Sequence, residues 1–217
     1  MKRIHIILMA IACFLSVHAQ KAGDVISVKP KDVPWYFTSS PIPDSVFQRM
    51  KGKSFGANCT VSRSSLRYLR VLHCNADGKT QVGEMVCNKA IAADLIDIFR
   101  QLYDARYRIV RMVLIDDYDA DDERSMAANN TSSFNFRIMT GSKTNRVSKH
   151  GMGLAVDVNP RYNPYVKGNK VSPSNAGKYA SNPEITRKDL CYRLFTQHGF
   201  KWGGAWRTLK DYQHFER

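Results

Sequence analysis

Beyond its first 19 residues, the 217-residue chain has no apolar run long enough to span a bilayer, no C-x-x-C pair, no internal repeat and only four histidines. The first absence excludes a membrane-spanning segment in the processed chain, because a spanning helix needs about 20 apolar residues. The second argues against a zinc ribbon or a dithiol redox motif. No nucleic-acid-binding motif accompanies the positive charge, so nucleic acid is not an expected partner. Hydrophobic residues at 43%, aromatic at 11% and charged at 24% exclude a disordered, collagenous or coiled-coil chain. The length is that of roughly one domain, with room for a core that needs neither disulfide nor metal. One number stands out. The formal net charge is +14, which suits a polyanionic neighbour such as an acidic surface or a wall polymer.

Met1-Lys2-Arg3 is a short basic start, Ile4 to Val17 is mostly apolar, and Val17-His18-Ala19 offers a cleavage site. Residues 1–19 therefore read as a signal peptide, and the processed protein is expected to be periplasmic or secreted. Residues 20–45, with Lys29-Pro30-Lys31, Pro34, Pro41 and Pro43, read as an extended lead-in, and 46–217 as a single catalytic domain, expected to be monomeric. Export leaves Cys59, Cys74, Cys87 and Cys191 in an oxidising compartment. They can form up to two disulfides in three alternative pairings or stay as buried thiols.

Along the chain, Leu66–Cys74 and Thr80–Val86 read as a hairpin closed at Asp77-Gly78. Asn88–Arg106 reads as an amphipathic helix, capped by Asn88, with Ile91, Leu95, Ile98 and Leu102 on one face. Ile109–Ile115 reads as a short buried strand. Asp116–Glu123, six acidic residues in eight, lacks the spacing of a calcium loop and reads as a solvated acidic loop. After a loop at Asn159–Pro183, Thr186 is expected to cap a second helix, with Asp189 at the capping-box position and Gly199 ending it. Strands and helices segregate rather than alternate, which makes the class α+β.

Of the four histidines, His73 lies in the hairpin and His198 at a helix C-terminus, and both read as structural. His150 is followed by Gly151 and Gly153, so no helix carries it. From Leu154 the pattern alternates, and burying Val156 and Val158 turns Asp157 away from the core. A turn at Gly151–Gly153 can fold His150 back beside it. Asp211 and His214 would point to opposite faces of one strand, so a bend is needed if both serve one site. Two histidines and one aspartate suit a catalytic zinc, which takes three protein ligands and leaves a position to water, with Asp211 left over as general base. On these residues alone that is one arrangement among several, and simple packing explains His150 and Asp157 as well.

Ser148-x-His150-x-x-Gly153-x-Ala155-x-Asp157 resembles the motif of the M15 metallopeptidases, the D-alanyl-D-alanine carboxypeptidases and related peptidoglycan peptidases. Asp211-x-x-His214-Phe215-Glu216 resembles their second motif. Residues 130–137, Asn159-Pro160, Asn163-Pro164-Tyr165 and Trp202-Gly203-Gly204 with Trp206 are similar to the VanY-like and L-alanyl-D-glutamate endopeptidase branches. The likeness runs from about Asp44 to the C-terminus. It implies the Hedgehog/DD-peptidase-like α+β fold, a small antiparallel sheet with helices packed against it. It implies Zn2+ held by His150, Asp157 and His214, with Asp211 as general base and acid. Arg137 matches the arginine that holds the scissile carbonyl, Ser148 a substrate-side serine, and Glu216 a partner behind a ligand histidine. The implied activity is zinc-dependent hydrolysis of peptidoglycan stem peptides, of the D-Ala-D-Ala carboxypeptidase or the L-Ala-D-Glu endopeptidase type.

Trp202 and Trp206 are expected to be core residues. Phe136 departs from the small residue or cysteine of many relatives, and the acidic run is expected to border the site and disfavour acidic stems. Wall attachment is expected to come from the domain's own basic surface, with no wall-binding module expected after Arg217. The rival reading is a non-catalytic zinc-binding module of the same fold that binds cell-wall polymer or a protein partner. It predicts a degraded base or a missing arginine, whereas Asp211 and Arg137 are both present.

Overall fold

The apolar segments Leu66–Cys74 (β2) and Thr80–Asn88 (β3) pair as an antiparallel hairpin, in register from Leu66 opposite Asn88 to Cys74 opposite Thr80. In the computed structural model, which describes residues 20–138, 146–176 and 184–217, this hairpin is the longest ladder. Its turn is closed by the Asn75 side chain, whose Oδ1 accepts the N–H groups of Asp77 and Lys79, while Gly78 takes a φ of 71°. The segment read as a signal peptide, 1–19, lies outside the described residues.

Residues 20–45 brace both edges of the hairpin. Gly23 N–H bonds Val82 O and Ile26 N–H bonds Thr80 O along β3, whereas Thr38–Ser40 (β1) pairs with β2. Between them Pro30–Tyr36 forms a 3-10 helix. Covering both edges removes the unpaired backbone groups that would otherwise recruit another chain.

Helices Asp44–Met50 (α1) and Lys89–Asp104 (α2) follow β1 and β3. Asn88 Oδ1 accepts the Ala90 N–H as the expected cap of α2. The helix stops short of Arg106, which adopts a left-handed φ of 54°. Its face of Ile91, Leu95, Ile98, Phe99 and Leu102 packs on Leu69, Val71, Met85 and Cys87 of the hairpin, all buried. Leu190–Gln197 (α4) closes this core, with Phe195 stacked on Phe215 at 4.3 Å. Asp189, not Thr186, is its N-cap: the Asp189 carboxylate accepts the Cys191 N–H, while Thr186 caps only the preceding turn through Lys188.

Instead of one small sheet there are three among the described residues. β1–β2–β3 is the first. The second has the order β4–β9–β7, from Ala155–Asp157, His214–Glu216 and Lys201–Trp202. The third has the order β6–β5–β8, from Lys170–Ser172, Tyr165–Lys167 and Lys210–Asp211. The class is thus mixed helix and antiparallel sheet. Among the described residues no helix is long and apolar enough to cross a membrane.

One sequence expectation fails here for a physical reason, and a second holds with an addition. Ile109–Ile115 is mostly buried, with Arg111 exposed, but is not a ladder strand: isolated backbone bonds to Cys74, Glu84 and Thr131 alternate with bonds to two buried asparagines. Asn130 Oδ1 accepts the Val113 N–H and its Nδ2 donates to Val113 O, while Asn159 Oδ1 accepts the Val110 N–H. The acidic run is exposed at Asp117, Asp119, Asp121 and Glu123, as a solvated loop would be, but its carboxylates are partnered rather than free. Its carboxylates bind Ser54 N–H (Asp116), Arg49 (Asp117), Lys53 and Arg124 (Asp119), and Arg137 (Asp122). Asp121 caps the helix Asp122–Ala127 (α3), and Glu123 accepts from Ser172 Oγ and Ser174 N–H. Cys59, Cys74, Cys87 and Cys191 are all free thiols.

Candidate metal centre

The antiparallel pairing of β4 with β9 sets Asp157 directly opposite His214, while Val156 and Phe215, also opposite, are fully buried in the core. Alternation therefore sends an acid and a histidine together to the other face. His150 reaches the same face through a hydrogen-bonded turn. Ser148 Oγ accepts the Gly151 N–H at 2.9 Å, Gly153 N–H bonds His150 O, and Leu154 N–H bonds Lys149 O. A Cβ on Gly151 would lie 2.6 Å from Val147 Cγ1 and 2.9 Å from Arg137 O, so only glycine fits this turn.

His150 Nε2, His214 Nδ1 and a single oxygen of Asp157 form a triangle. The edges are 3.1 Å between the nitrogens, 3.0 Å from His214 to Asp157 Oδ1, and 3.2 Å from His150 to Asp157 Oδ1. The opposite ring nitrogens are both occupied. His150 Nδ1 donates to Ser133 O at 2.7 Å, and His214 Nε2 donates to Glu216 Oε2 at 3.3 Å. Those bonds fix the tautomers that leave a lone pair on each inward nitrogen, so three lone pairs converge on one point. Zinc bonds of about 2.0–2.1 Å in a tetrahedron set ligands about 3.3 Å apart. The donor set and its spacing fit that ion.

The electrostatics agree with a cation-seeking site. Burial alone would keep Asp157 protonated, but His150 and His214 hold its carboxyl well below the usual range. Burial works against a charged His214, yet its bonds to Asp157 and Glu216 push it up to about 10.

Asp211 lies in β8 on a different sheet, paired with Tyr165 of β5. The turn at Tyr212–Gln213 switches the chain from that sheet to β9, which supplies the bend that Asp211 and His214 need to share a site. Asp211 Oδ1 is buried with no hydrogen-bond partner among the described residues. Burial, then the nearby Asp157 charge, pushes Asp211 up to about 6. His150, Asp157, His214, Asp211, Ser148, Glu216 and Arg137 all line one cavity of about 670 Å³.

Residues 141–217 match the family model described as Peptidase_M15_4, D-alanyl-D-alanine carboxypeptidase. This supports an M15 family peptidase. No curated protein and no solved structure matches the chain. The M15 match spans His150, Asp157, Asp211, His214 and Glu216 and begins after Arg137.

Arg137, outside the M15 match, is tied to it by backbone: Ser148 N–H bonds Arg137 O, and Asn135 N–H bonds His150 O. Its guanidinium is held by Asp122, with Nη1 2.8 Å from Oδ2 and 3.0 Å from Oδ1. Asp122 and the Ser133 carbonyl escaped the sequence reading. The first sat in a run that looked uniformly solvated, and a backbone acceptor has no letter of its own. The two tryptophans divide. Trp202 is core and donates Nε1–H to Tyr212 O, whereas Trp206 lines the cavity with its ring 5.3 Å from His214. Phe136 packs on the cluster of Ile42, Met50 and Phe134 and is not among the cavity residues. Of the acidic run, only Asp122 lines the cavity, together with Arg137, Arg146, Lys149 and Lys170. The run thus borders the site through Asp122 alone, and Asp157, Asp211 and Glu216 line the same cavity.

Proposed function

We propose that this chain is an exported, zinc-dependent peptidase that hydrolyses peptide bonds in bacterial peptidoglycan stems, with the Hedgehog/DD-peptidase-like fold and residues 46–217 as its catalytic domain. The observation that carries the reading is the convergence of three lone pairs, with fixed tautomers, beside a buried carboxylate that has an unpartnered oxygen. His150, Asp157 and His214 would hold the metal, with Ser133 O and Glu216 orienting the two rings. When bound, zinc supplies Lewis acidity that acidifies water and polarises a carbonyl.

The chain's own groups do the rest. Asp211 Oδ1 takes the proton of the attacking water and returns it to the leaving amine. Arg137 donates N–H bonds to the oxygen on which negative charge develops, a contribution worth most in a water-poor cavity. Ser148 fixes the His150 turn and presents its hydroxyl to the substrate side. Stem peptides are the proposed partners of a monomer, periplasmic or secreted.

The test is mass spectrometry of purified muropeptides incubated with zinc-loaded and chelated protein lacking residues 1–19. Loss of a terminal D-alanine marks a carboxypeptidase, and scission between L-alanine and D-glutamate an endopeptidase. No cleavage across diverse stems by the zinc-loaded protein overturns the reading and leaves a binding module.

A further inference from the structure

Asp122 is the first residue of α3 and faces the cavity, where both of its oxygens approach the same Arg137 nitrogen. Among the described residues the hydrogen bonds to Arg137's guanidinium run from Nη1 to Asp122, which anchors one edge of the fork. Asp122 is itself held. Asn135 Nδ2 donates to Asp122 Oδ1 at 2.9 Å and to Ala120 O at 3.0 Å. The backbone N–H of that same Asn135 bonds His150 O, so one residue joins the carboxylate, the arginine and the metal-ligand turn. Behind Asp122, the Asp121 carboxylate caps α3 by accepting the Arg124 N–H, and the next residue, Glu123, ties the helix to Ser172 and Ser174 beside the β5–β6 hairpin.

The pair is a poor candidate for a purely stabilising device. Its side chains are 40% and 37% exposed, and ion pairs that wet contribute little to folding. Its geometric effect is large by comparison. A long arginine otherwise samples many rotamers, and a misplacement of about 1 Å at a charge-stabilising group costs up to about 100-fold in rate.

We infer that Asp122 is the positioning residue of this site: it aims Arg137 at the oxygen on which charge develops, and Asn135 couples that aim to the His150 turn. The inference rests on the peptidase reading above and names a device within it. It assigns a role to the acidic run that has nothing to do with repelling substrate.

The test is a cycle of zinc-loaded wild type, Asp122→Ala, Arg137→Ala and the double variant, read two ways. The first readout is kcat and KM on a stem peptide. The second is calorimetric affinity for a phosphinate pseudodipeptide, whose tetrahedral oxygens mimic the charged transition state. Asp122→Ala is expected to lower kcat about 10- to 100-fold with KM changed less than about threefold, and to weaken phosphinate binding by a similar factor. Asp122→Glu is expected to recover part of the loss. With Arg137 already gone, removing Asp122 is expected to change either readout less than about twofold. An equal loss with and without Arg137, or a loss in KM alone, overturns the inference. So does diminished zinc content in Asp122→Ala. If wild type binds the phosphinate but cleaves no stem, the peptidase reading fails, and the coupling seen by calorimetry still decides whether Asp122 positions Arg137.

Discussion

Gly203 packs so closely on Asp211 that a Cβ there would lie 2.7 Å from the Asp211 carbonyl oxygen and 2.9 Å from the Asp211 Cβ. The same atom would be 3.2 Å from the Cβ of His214. Gly203→Ala must therefore push the proposed base and one histidine of the triangle apart. The expected result is a loss of activity of about 100-fold with a stability cost of about 1–3 kcal/mol from overpacking. Parallel measurement of kcat/KM and urea unfolding checks it. Unchanged kcat/KM would show that Asp211 need not sit where it does.

Glu216 is 3.3 Å from His214 Nε2 and holds the proton on that side of the ring. Glu216→Gln keeps the shape and removes the charge. Zinc affinity is expected to fall about 10-fold, the lower end for groups that orient a ligand. Competition with a fluorescent chelator measures it. An unaltered affinity would make Glu216 a bystander.

His73 provides a pH test away from the centre. Its ring is buried, Nδ1 donates to Ile109 O at 2.7 Å, and burial pushes the imidazole down to about 4. An unfolded histidine titrates near 6.5, so between about 6.5 and 4 the unfolded chain binds the proton that the native state refuses. Stability conferred by neutral His73 is thus complete above about 6.5 and declines as pH falls through that window, by about 3 kcal/mol in all. Urea midpoints at pH 7.5 and 4.5, with chelator present, should fall further for wild type than for His73→Gln. Equal falls would refute the assignment.

Cys74, Cys87 and Cys191 are buried and Cys59 is half-buried, all as thiols. Burial raises the proton affinity of each and slows thiolate chemistry. Alkylation of the protein lacking residues 1–19 should label Cys59 first in the native state and all four after unfolding. Fewer than four labels without reductant would reveal a disulfide.

Part of the site was readable because period-2 alternation is a strong constraint. Burying Val156 and Val158 turns Asp157 outward, and the glycines at 151 and 153 admit a turn for His150, but the grouping of both with His214 came from the resemblance to the M15 motifs. The hairpin and α2 followed from the same logic, with Asn88 capping as its side chain predicts. What stayed hidden was long-range polar pairing. Ile109–Ile115 looked like a strand since its letters are mostly apolar, yet Asn130 and Asn159, distant in sequence, satisfy the backbone of Val113 and Val110. The acidic run is exposed as read, but its pairing stayed hidden because partners such as Arg49 and Arg137 lie elsewhere in the chain. A charge's burial depends on its partner, and one sequence does not print that pairing.

The central claim is that His150, Asp157 and His214 together make one metal centre. Elemental analysis after dialysis against limiting zinc tests it most directly, on wild type beside Asp157→Ala and His150→Ala. The account predicts about one zinc per chain in wild type and well under a tenth of that in either variant. A full equivalent of zinc retained by either variant would contradict it.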